Sequence, residues 1–273
     1  MTIKLKALNS FWAATVGLGF LFSVSQAVCA DIDPQAAARG LEVAKELVRR
    51  DTGWGDSKAT MTMILTNKQG DESRREMRLN SLEVQGDGDK GLTIFDEPRD
   101  VKGTAFLSFT HATVADEQWL YLPALKRVKR ISSSNKSGPF MGSEYAFEDL
   151  TSFEIEKYDY EFLREDEFDG QKVFVVRNFP LYKKSGYTKQ EAWIDQEEYR
   201  VLKVDYFDRK NAPLKTLVNS DFKQYLDQYW RPHKASMVNH QNGKRTDLIW
   251  SDYEFQTGLN DGDFSRNSLQ RAR

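Results

Sequence analysis

The run Asp116–Leu150, DEQWLYLPALKRVKRISSSNKSGPFMGSEYAFEDL, decides how the rest of the chain is read. Trp119, Leu120, Tyr121 and Leu122 suit a strand apolar on both faces, or one with a buried face and a second that meets something greasy. Pro123 ends that strand, because proline has no N–H to give to a ladder. A second strand is expected from Leu125 to Ile131, where Lys126, Arg127, Lys129 and Arg130 surround Val128. The serine- and glycine-rich stretch 132–143 then reads as a long loop, yet it carries Phe140 and Met141 beside Gly142.

Upstream of this run, Pro34 follows Asp33 and opens an amphipathic helix in which Ala37, Leu41, Ala44, Leu47 and Val48 form one stripe. The period then changes to two. Met61, Met63 and Leu65 alternate with Thr60, Thr62 and Ile64, and Glu72 to Gln85 returns with a bulge expected near Asn80. Gly91–Asp96 and Lys102–Phe109 continue the series, with Thr104, Phe106 and Ser108 on one face and Ala105, Leu107 and Phe109 on the other. Downstream, Ser152–Leu163 changes phase, and Asp169-Gly170 and Asn242-Gly243 mark hairpin turns. The strands 172–178, 187–195, 201–208, 214–225, 231–240 and 246–256 complete the pattern, followed by a short helical tail near Phe264–Leu269. Ten or eleven strands in consecutive hairpins make an antiparallel meander, and one that long must curl through its own twist. The expected fold is mainly β (α+β): a curved antiparallel sheet with the first helix packed on it.

The segment before that helix has a separate meaning. Lys4 and Lys6 precede an apolar run around Ala13–Val24, and Val28-Cys29-Ala30 supplies small residues at a cleavage position, so residues 1–30 read as a secretory signal peptide. A transmembrane anchor is the competing reading, but Gly, Ser and Gln interrupt the run. Cys29 is the only cysteine, so a chain cut after residue 30 has none, and its core must hold without disulfides. Without the two leader lysines, 37 basic residues face 41 acidic ones, a formal charge of −4. The basic strand is therefore a local feature, and nothing points to nucleic acid. Residues 31–273 are expected to form a single domain.

Catalytic patterns are scarce. His111, His233 and His240 are far apart and read as strand or turn residues; thiol chemistry is excluded; and neither a nucleophile elbow, a zinc-protease pair nor a phosphate loop is present. The acid pairs Glu148-Asp149 and Asp166-Glu167 read as solvated surface. Aromatic residues are more informative as a set, although any one of them taken singly is better explained as ordinary core. A strongly curved sheet has a concave side that one helix cannot fill, and the unfilled part is an apolar pocket.

The order W-L-Y-L-P-x-L-K-R-V-K-R-I, serine-rich loop, F-M-G-S-E-Y-x-x-E-D-L resembles the signature of the LolA-like outer-membrane lipoprotein-sorting proteins. Glu144 and Ala146 depart from that family's usual residues, while Phe95, Pro98, Lys102, Gly103 and Leu107 match a second family pattern. The resemblance implies an open, unclosed β-barrel lidded by helix and loops. It also implies a periplasmic, non-enzymatic, monomeric carrier of the acyl chains of a lipid or lipoprotein, with no cofactor or metal, working with an inner-membrane RND-type transporter.

The candidate lipid-binding residues are Phe106, Trp119, Tyr121, Phe140, Met141, Phe147 and Phe153. Phe140 and Met141 are expected to form a flap that tolerates substitution by Asp without unfolding. Arg127 and Lys129 share one strand face and are candidates for contact with a headgroup or a partner; a solvated outer face that keeps the edge from pairing explains them as well. A sensor or adaptor that docks a protein through the basic strand is the alternative function.

Overall fold

The computed structural model describes residues 32–132 and 134–271, so the signal peptide assigned to residues 1–30 lies outside the described residues. Helix α1 (Pro34–Arg50) starts where Asp33 accepts a hydrogen bond from the Ala36 N–H at 2.9 Å, and it ends with Arg49 and Arg50 beside its terminal carbonyls. Its buried stripe is Gly40, Val43 and Ala44. A Cβ at position 40 would stand 2.9 Å from the Phe162 backbone nitrogen, so glycine is what lets the helix lie against the strand it covers.

Thirteen strands form one antiparallel sheet. The first group is β1 (Asp56–Thr66), β2 (Glu72–Leu82), β3 (Lys90–Glu97), β4 (Ala105–Phe109), β5 (Glu117–Leu122) and β6 (Arg127–Arg130). The second is β7 (Tyr158–Phe168), β8 (Gln171–Pro180), β9 (Tyr187–Asp195), β10 (Val201–Asp208), β11 (Pro213–Tyr225), β12 (Tyr229–Asn239) and β13 (Arg245–Phe255). Each group is a meander, and β1 pairs with β13 to join them; β6 and β7 are left as the two edges of a sheet that does not close. Helix α1 lies on β7 and β8, and a short helix α2 (Arg266–Arg271) packs beside β4 and β5. No helix among the described residues is long and apolar enough to cross a membrane.

The sheet is apolar on both faces over much of its length. Inward positions (Met61, Met63, Met77, Phe95, Phe106, Leu120, Met237, Leu248) build the main core. On the outside, Leu92, Ile94, Leu107 and Trp119 pack under Phe264 and Leu269, and Val173, Val175, Trp193 and Leu202 make a third cluster.

Several local expectations are corrected. The basic strand is shorter than Leu125–Ile131, because Pro123–Leu125 is a single 3-10 turn and Lys126 has φ +49°. No bulge occurs near Asn80; β2 pairs with β1 without a break, so Leu79 faces inward and Leu82 packs in the outer cluster. The strand expected from Ser152 begins only at Tyr158, after a 3-10 turn at Ile155–Lys157.

Candidate functional site

The chain between the two edge strands runs back through the inside of the sheet and fills half of it. Phe140 is 1% exposed, and its ring lies 5.1 Å from that of Phe106, 5.5 Å from Phe147 and 6.0 Å from Phe95. Tyr145 is also buried, with its hydroxyl donating to the Ala235 carbonyl at 3.3 Å. The segment is held by buried charge. Lys215 of β11 donates to Asp149 at 2.6 Å and to the Glu144 carbonyl at 2.9 Å; both side chains of the ion pair are 4% exposed. Asp149 also accepts from Tyr187 Oη and from the Ala146 N–H. Glu148 accepts from the Gly186 N–H, Ser185 Oγ and Tyr182 Oη, and burial pushes its carboxyl up from the usual range. Glu148 and Asp149 are thus not solvated surface but buried latches. Phe140 is correspondingly no mobile flap: the Arg75 guanidinium donates to the Met141 carbonyl at 2.6 Å, and Ser143 Oγ donates to the Phe140 carbonyl at 2.7 Å.

The other half of the interior is open. A cleft of about 920 Å3 enters from the end of the sheet that carries the α1–β1, β2–β3, β9–β10 and β11–β12 connections. Its cause is a gradient of side-chain size along the inward positions. On β1, Met63 and Met61 give way to Ala59 and Ser57; on β2, Met77 gives way to Leu79 and Ser81; on β3, Phe95 to Gly91; and on β4, Phe106 to Ser108. A Cβ at Gly91 would meet nothing within 4 Å. Leu47 of α1, Leu150 and Val201 add apolar wall, and Trp54, Phe222, Trp230, Trp250 and Tyr253 provide aromatic surface. A smaller cavity of about 170 Å3 shares Leu47, Thr151, Ser152 and Val201 with the cleft and reaches Phe153 and Tyr158.

Polar groups at the rim are mostly paired. Arg231 pairs with Asp51 at 2.5 Å and lies over the Trp54 ring, and Arg200 pairs with Asp195 at 2.8 Å and lies over Phe222 and Trp230. Trp230 Nε1 is buried and has no hydrogen-bond partner among the described residues. Asp89 lies on the cleft wall, and burial, with Glu154, Glu83 and Asp51 nearby, pushes its carboxyl up to about 7. The folded chain therefore holds this proton more tightly than the unfolded one. Its contribution to stability is full below about pH 4 and is lost as pH rises through about 7. Asp89→Asn is expected to stabilise the protein at pH 8 by about 2 kcal/mol and to have little effect near pH 4; urea unfolding at the two pH values checks this.

The sequence-derived candidates thus separate. Phe106, Phe140 and Phe147 come together as packed interior and line neither cavity. Met141 packs against that core at φ +51°. Trp119 and Tyr121 point to the outer face, in the cluster under α2. Of the seven, Phe153 lines one of these two cavities, the smaller one, and stacks on Tyr158 at 5.4 Å. Arg127 and Lys129 are exposed on edge strand β6, opposite Leu122 and Leu120. The main cleft-lining residues are ones that sequence reading passed over, because small residues on four different strands become a pattern only when the register is known. Among the described residues no three His, Cys, Asp or Glu side chains are grouped as metal ligands. His233 sits between Tyr225 Oη at 2.8 Å and the Trp250 carbonyl at 2.9 Å, a strand contact.

A family model described as an uncharacterized protein matches residues 87–271. No curated protein matches the chain. Among solved structures, the chain is similar to an outer membrane lipoprotein-sorting protein domain from Vibrio parahaemolyticus, with 63% identity over 86% of this chain and 100% of that one, at a TM-score of 0.85. A DUF1329 family protein from Desulfovibrio piger is 28% identical over 86% of this chain and 99% of its own, with a TM-score of 0.81. A LolA superfamily protein from Nitrosomonas europaea shares the fold at 19% identity, covering 85% of this chain and 99% of that one, with a TM-score of 0.66.

Proposed function

The chain belongs to the LolA-like outer-membrane lipoprotein-sorting family, and from that premise we propose that it is a periplasmic carrier that holds the acyl part of a lipid or lipoprotein in its open cleft. The observation that carries this reading is the cleft itself: about 920 Å3 of space left by small inward residues, walled by Leu47, Ala59, Leu79 and Val201 and by three tryptophans. That volume falls within the range of about 300–1,000 Å3 usual for small-molecule sites. Each methylene transferred into it from water gains about 0.8 kcal/mol, enough for binding with no dedicated charge. The paired state of Arg200 and Arg231 suits a ligand whose polar end stays near solvent.

In this reading residues 1–30 direct export and are removed, and residues 31–273 act as one monomeric, non-enzymatic domain. Cargo passes to or from an inner-membrane RND-type exporter, a partnership for which the family resemblance is the support. The binding site is the cleft with its side cavity at Phe153, in place of the aromatic cluster around Phe140.

Gly91→Phe tests the proposal without disturbing the fold. The added side chain has open space in which to stand, and leaving glycine in a strand is itself unfavourable. The variant is expected to keep or raise its unfolding midpoint and to lose at least about tenfold in affinity for a fluorescent fatty-acyl probe, the equivalent of about two methylenes displaced. A stable variant that binds the probe as tightly as the parent chain overturns the assignment of the cleft.

A further inference from the structure

In an antiparallel meander successive turns fall at alternate ends, so strand order sorts the turns of this chain into two sets. The two sets have opposite charge. At one end the turns 67–71, 98–104, 123–126, 181–186, 209–212 and 240–244 carry nine Lys or Arg and two acids. At the other, the connections 51–55, 83–89, 110–116, 169–170, 196–200 and 226–228 carry nine Asp or Glu and one Arg. The cleft opens at the acidic end. All nine cations of the basic end are exposed, and among the described residues Lys102 alone of them forms an ion pair, with Glu97 at 3.1 Å. Arg127 and Lys129, exposed and without an ion-pair partner among the described residues, extend this end along β6. Two turn residues at the basic end expose apolar side chains among the cations: Leu125 at 64% and Leu181 at 55%.

We propose that the basic end is a docking surface for an anionic phospholipid bilayer. A molecule of nearly balanced net charge gains nothing from the overall field, but one charged in opposite senses at its two ends is turned by a negative surface so that the basic end faces it. The cations are spread over six turns around a sheet end, which matches a broad, flat array of headgroups better than a compact acidic peptide. Leu125 and Leu181 supply the apolar contacts that accompany basic residues at membrane surfaces. Docked in this way, the protein holds its cleft mouth away from the bilayer, open to a protein partner.

Co-sedimentation of the mature chain with sealed vesicles tests this. Binding is expected to vesicles containing one-third phosphatidylglycerol and not to pure phosphatidylcholine, and to vanish when salt is raised to about 0.5 M. The exposed-turn variant Lys126→Glu/Lys183→Glu/Lys184→Glu/Lys210→Glu is expected to bind the anionic vesicles at least about tenfold more weakly, since each cation near such a surface contributes several-fold. Two controls retain full binding: Asp169→Asn/Glu197→Gln/Glu198→Gln at the acidic end, and Gly91→Phe in the cleft. Equal binding to both kinds of vesicle, or undiminished binding by the charge-reversed variant with native circular dichroism, overturns the proposal. Salt-sensitive self-association without vesicle binding also overturns it and assigns the basic end to the acidic end of a second copy; retention only on an acidic protein overturns it in favour of a protein dock.

Discussion

Phe140→Asp is expected to abolish cooperative folding, leaving a chain without near-ultraviolet circular dichroism or a sharp urea transition. Phe140 is 1% exposed and touches three other phenylalanine rings, so truncation alone removes about 3–5 kcal/mol. A carboxylate in its place has neither water nor a donor, and the cost of burying it is added to the cost of the cavity. Together these match or exceed the total stability of about 5–15 kcal/mol that a domain has available. Phe140→Leu, which keeps the site apolar, is expected to fold and to lose far less. A folded Phe140→Asp protein with selectively weakened ligand binding would instead restore the mobile-flap reading of this segment.

Lys215→Met is expected to destabilise the protein by about 3–5 kcal/mol, the usual result of leaving one partner of a buried ion pair alone. The pair joins β11 to the interior segment at 2.6 Å, and the lysine also satisfies the Glu144 carbonyl and lies 5.2 Å from the rings of Tyr187 and Tyr206. The accompanying test is a double-mutant cycle. Asp149→Asn in the Lys215→Met background is expected to cost less than in the parent chain, because the uncompensated charge is then gone. Strict additivity in urea unfolding would show that the two side chains are not coupled and that the latch lies elsewhere.

Features set by neighbouring residues were legible in the sequence. Asp33 with Pro34 marks the helix start, and Asp169-Gly170 and Asn242-Gly243 sit at the tips of hairpins whose strands alternate on either side. The doubly apolar run Trp119–Leu122 was also informative, since both faces are covered, Leu120 by the main core and Trp119 by Phe264 and Leu269. What sequence alone did not show is which cover belongs to which face, since the outer one comes from a tail more than a hundred residues away. The same holds for the interior segment. Its serines and glycines describe a loop correctly, but its burial depends on Lys215, 66 residues from Asp149. Lys126 reads as a strand residue but closes a turn, for a local reason: a non-glycine residue in the left-handed region leaves little trace in composition. The cleft is the extreme case, because Ser57, Ser81, Gly91 and Ser108 are unremarkable where they stand and form a void only through the register of four strands.

Quenching of tryptophan fluorescence by a brominated fatty-acyl chain tests the central claim most directly. Trp54, Trp230 and Trp250 line the cleft, whereas Trp119 and Trp193 lie in the outer clusters. The Trp119→Phe/Trp193→Phe protein, which keeps the cleft tryptophans, is predicted to be quenched saturably by the brominated chain, and Gly91→Phe added to it is predicted to remove the quenching. Saturable quenching in a Trp54→Phe/Trp230→Phe/Trp250→Phe protein, with none in the Trp119→Phe/Trp193→Phe protein, would place the chain on the outer face of the sheet and contradict the account.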